Sequence, residues 1–446
     1  MAPPAATSPR WWLITPAESE DAQRRVAGAL HGRGLMAGDR VAFVLPTSPD
    51  LLAAVLGALR IGIIPVLLNA TLLPNEIAEL IDDASPSMVI RDEASLHSLL
   101  DGDQAELAPV PLGRPMHYTS GTSGRPKGVA SGVMSESDAM ALFDDEAALW
   151  DPQPADVHLM ASPIYHSVAV RLAAVHLLRG ASVVLLERFE ADTWRTAAAS
   201  SDATGGFMVP AHLQRIFASG GPGPLPRFRR LIHAGSSMPP AVKEQAFAAF
   251  GDDAVWEFYG STEGQFTVCS PDEWRQRPGT VGRARPGRAL RVDDDGQIWC
   301  RTPSFARFEY WRDREKTDAA WRGDEFTVGD LGRLDDDGYL FLDGRRDDLI
   351  ISGGVNVYPA EVEAVLARSP GVDEVAVFGR PDDRWGQRVC AAVIGSATVE
   401  SLSRAAAEAL APYKRPKEIH VVADLPRTAT GKVRRMDIAA HLGLER

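Results

Sequence analysis

Between Tyr118 and Val129 the chain reads Tyr-Thr-Ser-Gly-Thr-Ser-Gly-Arg-Pro-Lys-Gly-Val, a run in which small hydroxyl residues alternate with glycines and which closes on a cation. Glycines such as Gly121 and Gly124 let backbone N–H groups approach an anion closely. Loops of this kind cradle phosphates through their amides, and a lysine such as Lys127 adds a point charge. The familiar P-loop would end in Gly-Lys-Ser/Thr, whereas here Pro126 precedes Lys127 and Gly128 follows it. The run is therefore a phosphate loop of another kind or a flexible linker, and the features downstream decide between the two. Three more loops carry unusual polar residues: Pro163 to His166, Ala234 to Ser237, and Tyr259 to Gly264.

The elements around these loops alternate. Arg40 to Leu45, Ile63 to Leu68 and Met88 to Ile90 have the composition of strands. Pro49 to Arg60 and the stretch opening at Pro74 have helical spacing, Leu52, Val55, Leu56 and Leu59 forming one stripe. Asp92 to Arg114 is polar and proline-bearing and is read as a connection. Alternation resumes with strands expected at Val157 to Ala161, Ser182 to Leu186, Thr204 to Val209, Arg230 to Ala234 and Ala254 to Tyr259. Helices are expected at Val168 to Leu178 and Pro240 to Phe250. Such alternation predicts a parallel α/β sheet, in which ligands bind beyond the carboxyl ends of the strands. The three loops fall at such ends, which points to one cleft. From about Thr280 to Gly344 short runs joined by Asp–Gly pairs signal hairpins, and a small antiparallel barrel or sheet is expected. Gly344 to Asp348 is a polar break. Beyond it, a helix from Pro359 to Arg368, strands at Val375 to Phe378, Arg388 to Ile394 and Ile419 to Val422, and a helix from Val399 to Leu410 make an α+β domain of ordinary size.

Composition narrows the function. The 446 residues exceed one ordinary core, so two or three domains are expected. Forty-five per cent are apolar and 24% charged, as in globular proteins. A net charge of −13 argues against a general nucleic-acid partner, although not against a local cationic pocket. Cys269, Cys300 and Cys390 are too scattered for a disulfide framework or a zinc motif. No apolar run is long enough to span a membrane, and the first residues carry no signal pattern. A frayed amino-terminal tail, no membrane attachment and a cytoplasmic location are expected. There is no Gly-x-Ser-x-Gly elbow, no His-Glu-x-x-His and no Gly-x-Gly-x-x-Gly fingerprint.

Five ordered motifs carry a resemblance: Tyr118 to Gly128, Tyr259 to Gly264, Val328 to Leu334, Gly344 to Gly354, and Pro426 to Arg435. Together they resemble the adenylate-forming superfamily of acyl- and aryl-CoA synthetases, nonribosomal peptide adenylation domains and firefly luciferases, with the CoA ligases nearest in look. The likeness runs from about Val26 to the end. Members are usually longer at the amino terminus, so part of the early subdomain is expected to be trimmed.

The resemblance implies a large domain over residues 1–346 and a small mobile one over 347–446, hinged at Asp347. It implies ATP-dependent conversion of a carboxylate to an acyl-adenylate with loss of pyrophosphate, then transfer to a thiol, most simply coenzyme A. A carrier-protein thiol as acceptor, or nitrite activation for diazotising an arylamine, are the alternatives. An aryl or medium acyl acid is the expected substrate, in a monomer or homodimer. In this frame Thr119, Ser120, Gly121, Thr122, Ser123, Gly124 and Lys127 hold the β- and γ-phosphates. Thr262 touches the α-phosphate, Glu263 binds Mg²⁺ and Tyr259 stacks on adenine. Asp330 and Arg345 reach the ribose. From the residues alone, Glu263 could equally be a solvated loop carboxylate, Asp330 a turn aspartate, and Arg345 a solvated loop arginine. Lys432 would bridge the attacking carboxylate and the α-phosphate, though a carboxy-terminal lysine is ordinarily a surface charge. His166 would line and gate the acyl pocket, formed by His166 to Arg171, Phe207 to His212, Gly235, Ser236 and Gly260, the last three also counted among the nucleotide-binding residues. Gly353 and Gly354 would leave room for a pantetheine arm. Arg171 could pair with a second carboxylate on a diacid or be a helix-surface charge. The Ala234 to Pro239 loop departs from the commoner Gly-Gly-Ala form.

Overall fold

The computed structural model describes residues 10–444 apart from 120–125, 236, 237, 239, 295, 346–349, 358, 427–432 and 434. The expected α/β class holds. A six-stranded sheet runs in the order Glu309–Tyr310, Lys127–Ala130, Met116–Thr119, Ile64–Leu67, Arg40–Phe43, Met88–Ile90. Its last four members are parallel, and the Lys127–Ala130 strand turns back antiparallel. An eight-stranded sheet has the parallel strands Ser182–Leu186, Val157–Met160, Gly205–Met208, Arg230–His233 and Val255–Gly260 at its centre. One apolar core is common to both sheets. It holds Phe43 and Leu67 of the first and Met160, Val183 and Phe207 of the second. Between them lies the Pro49–Leu59 helix, in which every residue from Leu51 to Leu59 is buried. A helix apolar on all sides needs such a position.

Several expectations change. The tail expected to fray, residues 2–9, lies outside the described residues, and the elements that follow it were not named from the sequence. Trp11–Ile14 adds an antiparallel edge strand to Ser182–Leu186, and Pro16–Gly32 is a helix. Thr15 caps that helix in a reciprocal box with Glu18, the Thr15 N–H donating to Glu18 Oε2 at 3.0 Å. Within Asp92 to Arg114, read as a connection, Glu93–Leu100 is a helix capped by Asp92, with Leu96 and Leu99 buried. Asp92 and Ser95 are a local capping signal that the polar composition masked. Helices Ala191–Ser200 and Pro210–Ala218 fill gaps between strands, where helical stretches are expected, and Glu136–Trp150 is one the sequence reading did not name. The hairpin region holds a four-stranded antiparallel sheet (Ala289–Val292, Ile298–Arg301, Glu325–Phe326, Trp321–Arg322) and a two-stranded ribbon (Asp330–Leu334 with Leu340–Arg345). An isolated bridge from Gln297 to Leu331 joins them without continuing into a closed barrel among the described residues.

The carboxy-terminal region forms its own five-stranded sheet with two apolar clusters, one on Val377, Val389 and Leu402, the other on Phe378, Cys390 and Leu425. Among the described residues no helix is long and apolar enough to cross a membrane.

Candidate active site

A cavity of about 1630 Å³ lies where the carboxyl ends of the parallel strands meet the carboxy-terminal sheet. Thr119, Gly235, Tyr259 and Gly260 line it as strand ends or the residues just beyond them. His166, Thr262, Glu263 and Asp330 join them from loops, a helix cap and the ribbon.

One end of the cavity, lined by Tyr259, Glu263 and Asp330, is held by hydrogen bonds. Tyr259 donates its hydroxyl to Asp330 Oδ2 at 2.5 Å, and Asp330 is only 4% exposed. Tyr310 donates to Glu263 Oε1 at 2.9 Å and so fixes that carboxylate at the cavity wall. Glu263 is thus not the water-facing loop acid that its residue type alone allowed. Arg114, which the sequence did not single out, donates to the Glu263 carbonyl oxygen at 3.1 Å and to the Arg307 carbonyl at 2.9 Å. Burial, with Arg171 adding to it, brings the Arg114 pKa down to about 10, so it stays charged at neutral pH. The Lys127 ammonium lies 6.0 Å from the Tyr310 ring.

Thr119 and Lys127 face each other across the antiparallel hairpin that the glycine-and-hydroxyl run connects. Ser120, Gly121, Thr122, Ser123 and Gly124 lie outside the described residues, as do Ser236, Asp347 and Lys432. Arg345 pairs with Asp330 in the ribbon register, and its side chain is likewise outside the described set. Gly128 has a packing reason rather than a phosphate one. A Cβ there would fall 2.1 Å from Met116 Cε and 3.0 Å from Trp311 Cβ.

The opposite end is walled by the start of the Ser167–Leu178 helix and by Phe207 and Phe258. His166 caps that helix, its ring 4.6 Å from Tyr165, and desolvation lowers its pKa to about 4. It is neutral at pH 7 and lines the cavity, and among the described residues no carboxylate is paired with it. Behind it, His117 Nδ1 meets the Tyr165 carbonyl at 3.0 Å. Arg171 is not a helix-surface charge: its Nε lies 3.1 Å from Glu146 Oε1, and the residue lines the cavity.

At the other mouth the Gly353–Gly354 turn of the carboxy-terminal sheet faces the large region. Gly353 donates its N–H to the Trp385 carbonyl at 2.7 Å, and a Cβ on it would strike the Trp385 ring at 2.7 Å. Gly354 has φ +78° and would bring a Cβ to 3.2 Å from Val209 Cγ2. Glycine is needed at both for close approach. Arg384 and Lys417 lie 4.9 and 5.9 Å from the Trp385 ring. Burial and the Arg384 charge together depress the pKa of Arg215 across the seam. Deeper in the seam, Lys414 reaches Glu361 Oε1 at 2.5 Å and Glu76 Oε1 at 3.1 Å.

The model of the AMP-binding enzyme family matches residues 5–112 and 115–311, and that of the AMP-binding enzyme C-terminal domain matches 361–432. The likeness therefore begins well before Val26. The long-chain-fatty-acid–CoA ligase FadD13 of Mycobacterium tuberculosis is 30% identical over 466 aligned positions, covering 94% of this chain and 91% of that protein. The o-succinylbenzoate CoA synthetase of Bacillus subtilis, bound with its product analogue, superposes with a TM-score of 0.85 at 26% identity, over 95% and 93% of the two chains. The same synthetase with its acyl-adenylate gives 0.68 over 94% and 92%. The amide bond synthetase McbA of Marinactinospora thermotolerans gives 0.83 at 28% identity, over 95% and 94%. Matched by the family model over most of its length, the chain belongs to the AMP-binding enzymes and is an enzyme of the AMP-forming acid–thiol ligase type.

Proposed function

We propose that this enzyme joins a small carboxylic acid to ATP as an acyl-adenylate, releases pyrophosphate, and passes the acyl group to the thiol of coenzyme A. The observation that carries the reading is the single cavity shared by Glu263, Thr262, the Tyr259–Asp330 pair and the Gly353–Gly354 turn. Bringing a carboxylate to the α-phosphate sets two anions against each other, so positive charge must be in place before reaction. Lys127 and Arg114 supply fixed charge, and Lys432 is proposed to bridge the two reacting groups. The glycine-and-hydroxyl run from Ser120 to Gly124 is proposed to hold the distal phosphates, with Thr262 at the α-phosphate. Asp330 accepts from the ribose hydroxyls, Tyr259 packs on the base and Arg345 assists. Tyr310 holds Glu263 as one carboxylate ligand for Mg²⁺. Among the described residues no group of three or more acids, histidines or cysteines is gathered for a metal. That suits Mg²⁺, which takes most of its oxygens from phosphates and water, and which when bound offsets phosphate charge.

Domains 1–346 and 347–446, hinged at Asp347, are proposed to exchange Lys432 for the Gly353–Gly354 turn between half-reactions. Gly235, Ser236, Gly260 and His166 shape the acyl pocket. The cationic rim of Arg215, Arg384 and Lys417 at the thiol mouth favours a thiol carrying phosphates. The high fold similarity to an amide bond synthetase supports a second reading in which the adenylate is kept and an amine is the acceptor.

Pyrophosphate release with ATP, Mg²⁺ and a panel of aryl and medium-chain acids tests the first step. AMP release that depends on coenzyme A tests the second, with arms supplying an amine, a carrier protein, or nitrite plus an arylamine. No pyrophosphate with any acid or with nitrite would refute adenylate formation. Turnover with an amine and none with coenzyme A would favour the second reading.

A further inference from the structure

Behind the acyl end of the cavity lies a buried ionic cluster that the adenylation chemistry does not use. Glu146, 4% exposed, accepts from Arg285 Nη1 at 3.2 Å and from the Gln265 amide at 2.8 Å on Oε2, and its Oε1 forms an ion pair with Arg171 Nε at 3.1 Å. Trp150 adds its indole N–H at 2.7 Å. Beside it Asp145 receives Arg285 and Arg288, each at 2.9 Å. Burial opposes the Glu146 charge, but Arg171 and Arg285 outweigh it and hold its pKa down at about 2. Three guanidinium groups thus face two carboxylates, an excess of one positive charge in a region shielded from water. A buried charge without a counter-charge is costly.

The excess has a direction. Arg285 and Arg288 keep only 1% and 3% of their side-chain surface, whereas Arg171 keeps 24% and lines the cavity. Ser167 and Val168 precede it by four and three residues on the same helix, so all three stand on one face, and all three line the cavity. Arg171 Nε lies in ion-pair contact with Glu146, its guanidinium carbon sits 5.2 Å from the Phe258 ring, and neither Nε nor Nη2, both buried, has a hydrogen-bond partner. An aromatic face and a carboxylate fix the fork, which is a geometry suited to reading a planar anion.

We infer that Arg171 is a specificity-determining residue that pairs with a second carboxylate on the acid being activated, remote from the carboxyl group that receives AMP. The inference rests on the proposed adenylating function and narrows its substrate class to dicarboxylic acids. A second carboxylate neutralises the cluster and gives the guanidinium a partner. A plain alkyl chain does neither, and would take the exposed part of the guanidinium out of water without giving it a partner.

The test compares acids of one skeleton with and without the second carboxylate, adipic against hexanoic acid and terephthalic against 4-methylbenzoic acid, by pyrophosphate release. The wild-type enzyme is expected to favour the diacid of at least one pair by tenfold or more in kcat/KM. Arg171→Met is expected to remove or invert that preference with the KM for ATP unchanged, and Arg171→Lys to keep part of it. Glu146 retains Arg285 and Gln265 in these variants. If a variant does not fold, the wild-type ratios decide alone. Release with ratios at or below one in the wild type overturns the inference and leaves adenylation standing, as does a preference that survives in Arg171→Met. No release with any acid removes both.

Discussion

Tyr310 illustrates how much of a site rests on one hydroxyl. It sits in the strand Glu309–Tyr310, paired with Val129 just past the hairpin of the glycine-and-hydroxyl run, and donates to Glu263. A hydrogen bond to a charged group contributes about 1.5–3 kcal/mol. Tyr310→Phe keeps the ring that packs against Phe308 at 5.5 Å and removes only the donor. The expected result is a fall of roughly tenfold in kcat for pyrophosphate release at saturating Mg²⁺, with little change in melting temperature. An unchanged kcat would mean that Glu263 does not depend on this contact.

At the scale of elements, the seam between the helix Pro74–Ala84 and the carboxy-terminal sheet carries the buried trio Glu76, Lys414 and Glu361. Burial opposes the Lys414 charge, but the Tyr413 hydroxyl and the two carboxylates raise its pKa above the ordinary lysine value. Lys414–Glu361 lies within the carboxy-terminal region, whereas Lys414–Glu76 crosses the seam. Over the whole chain the likeness is higher to the synthetase with its product analogue, at a TM-score of 0.85, than to the same synthetase with its acyl-adenylate, at 0.68, so in the proposed domain exchange the crossing pair is assigned to the thiol-transfer stage. Glu76→Gln weakens the crossing pair and leaves Lys414 its other partner. Thiol transfer from a supplied acyl-adenylate is expected to slow by about tenfold, while ATP–pyrophosphate exchange holds or rises. Equal loss in both half-reactions would show that the contact supports folding rather than orientation.

For the molecule as a whole, four buried histidines set an acid limit. His117, His158, His176 and His233 are at most 5% exposed, and His158 and His176 stack at 3.9 Å. Desolvation lowers His117 to about 3 and His176 to about 4, and takes His158 and His233 well below the ordinary 6.5. The unfolded chain therefore binds more protons than the folded one below about pH 6.5. Stability is expected to be lost as pH falls through 6.5 toward 4, by roughly 1.4 kcal/mol per pH unit for each proton. Melting temperatures measured from pH 7.5 to 5 should fall steeply, and His176→Gln should flatten the slope. A flat profile to pH 5 would contradict this account.

What the sequence determined alone was the alternation of strand and helix and the order of its polar loops. Both are local: apolar periodicity and glycine-rich punctuation report on a residue's immediate neighbours. That is why Met88–Ile90, Ser182–Leu186 and Pro240–Phe250 were legible to the residue, while the helix Glu93–Leu100, polar in composition and short, was not. Only the tertiary structure could bring Tyr310 to Glu263 across 47 positions, Arg114 to the same loop across 149, and Lys414 to Glu76 across 338. It also turned Arg171 from a candidate surface charge into a cavity wall, because Glu146 and Phe258 come from other elements. Burial and charge pairing depend on what packs against a residue, and no spacing along the chain encodes that.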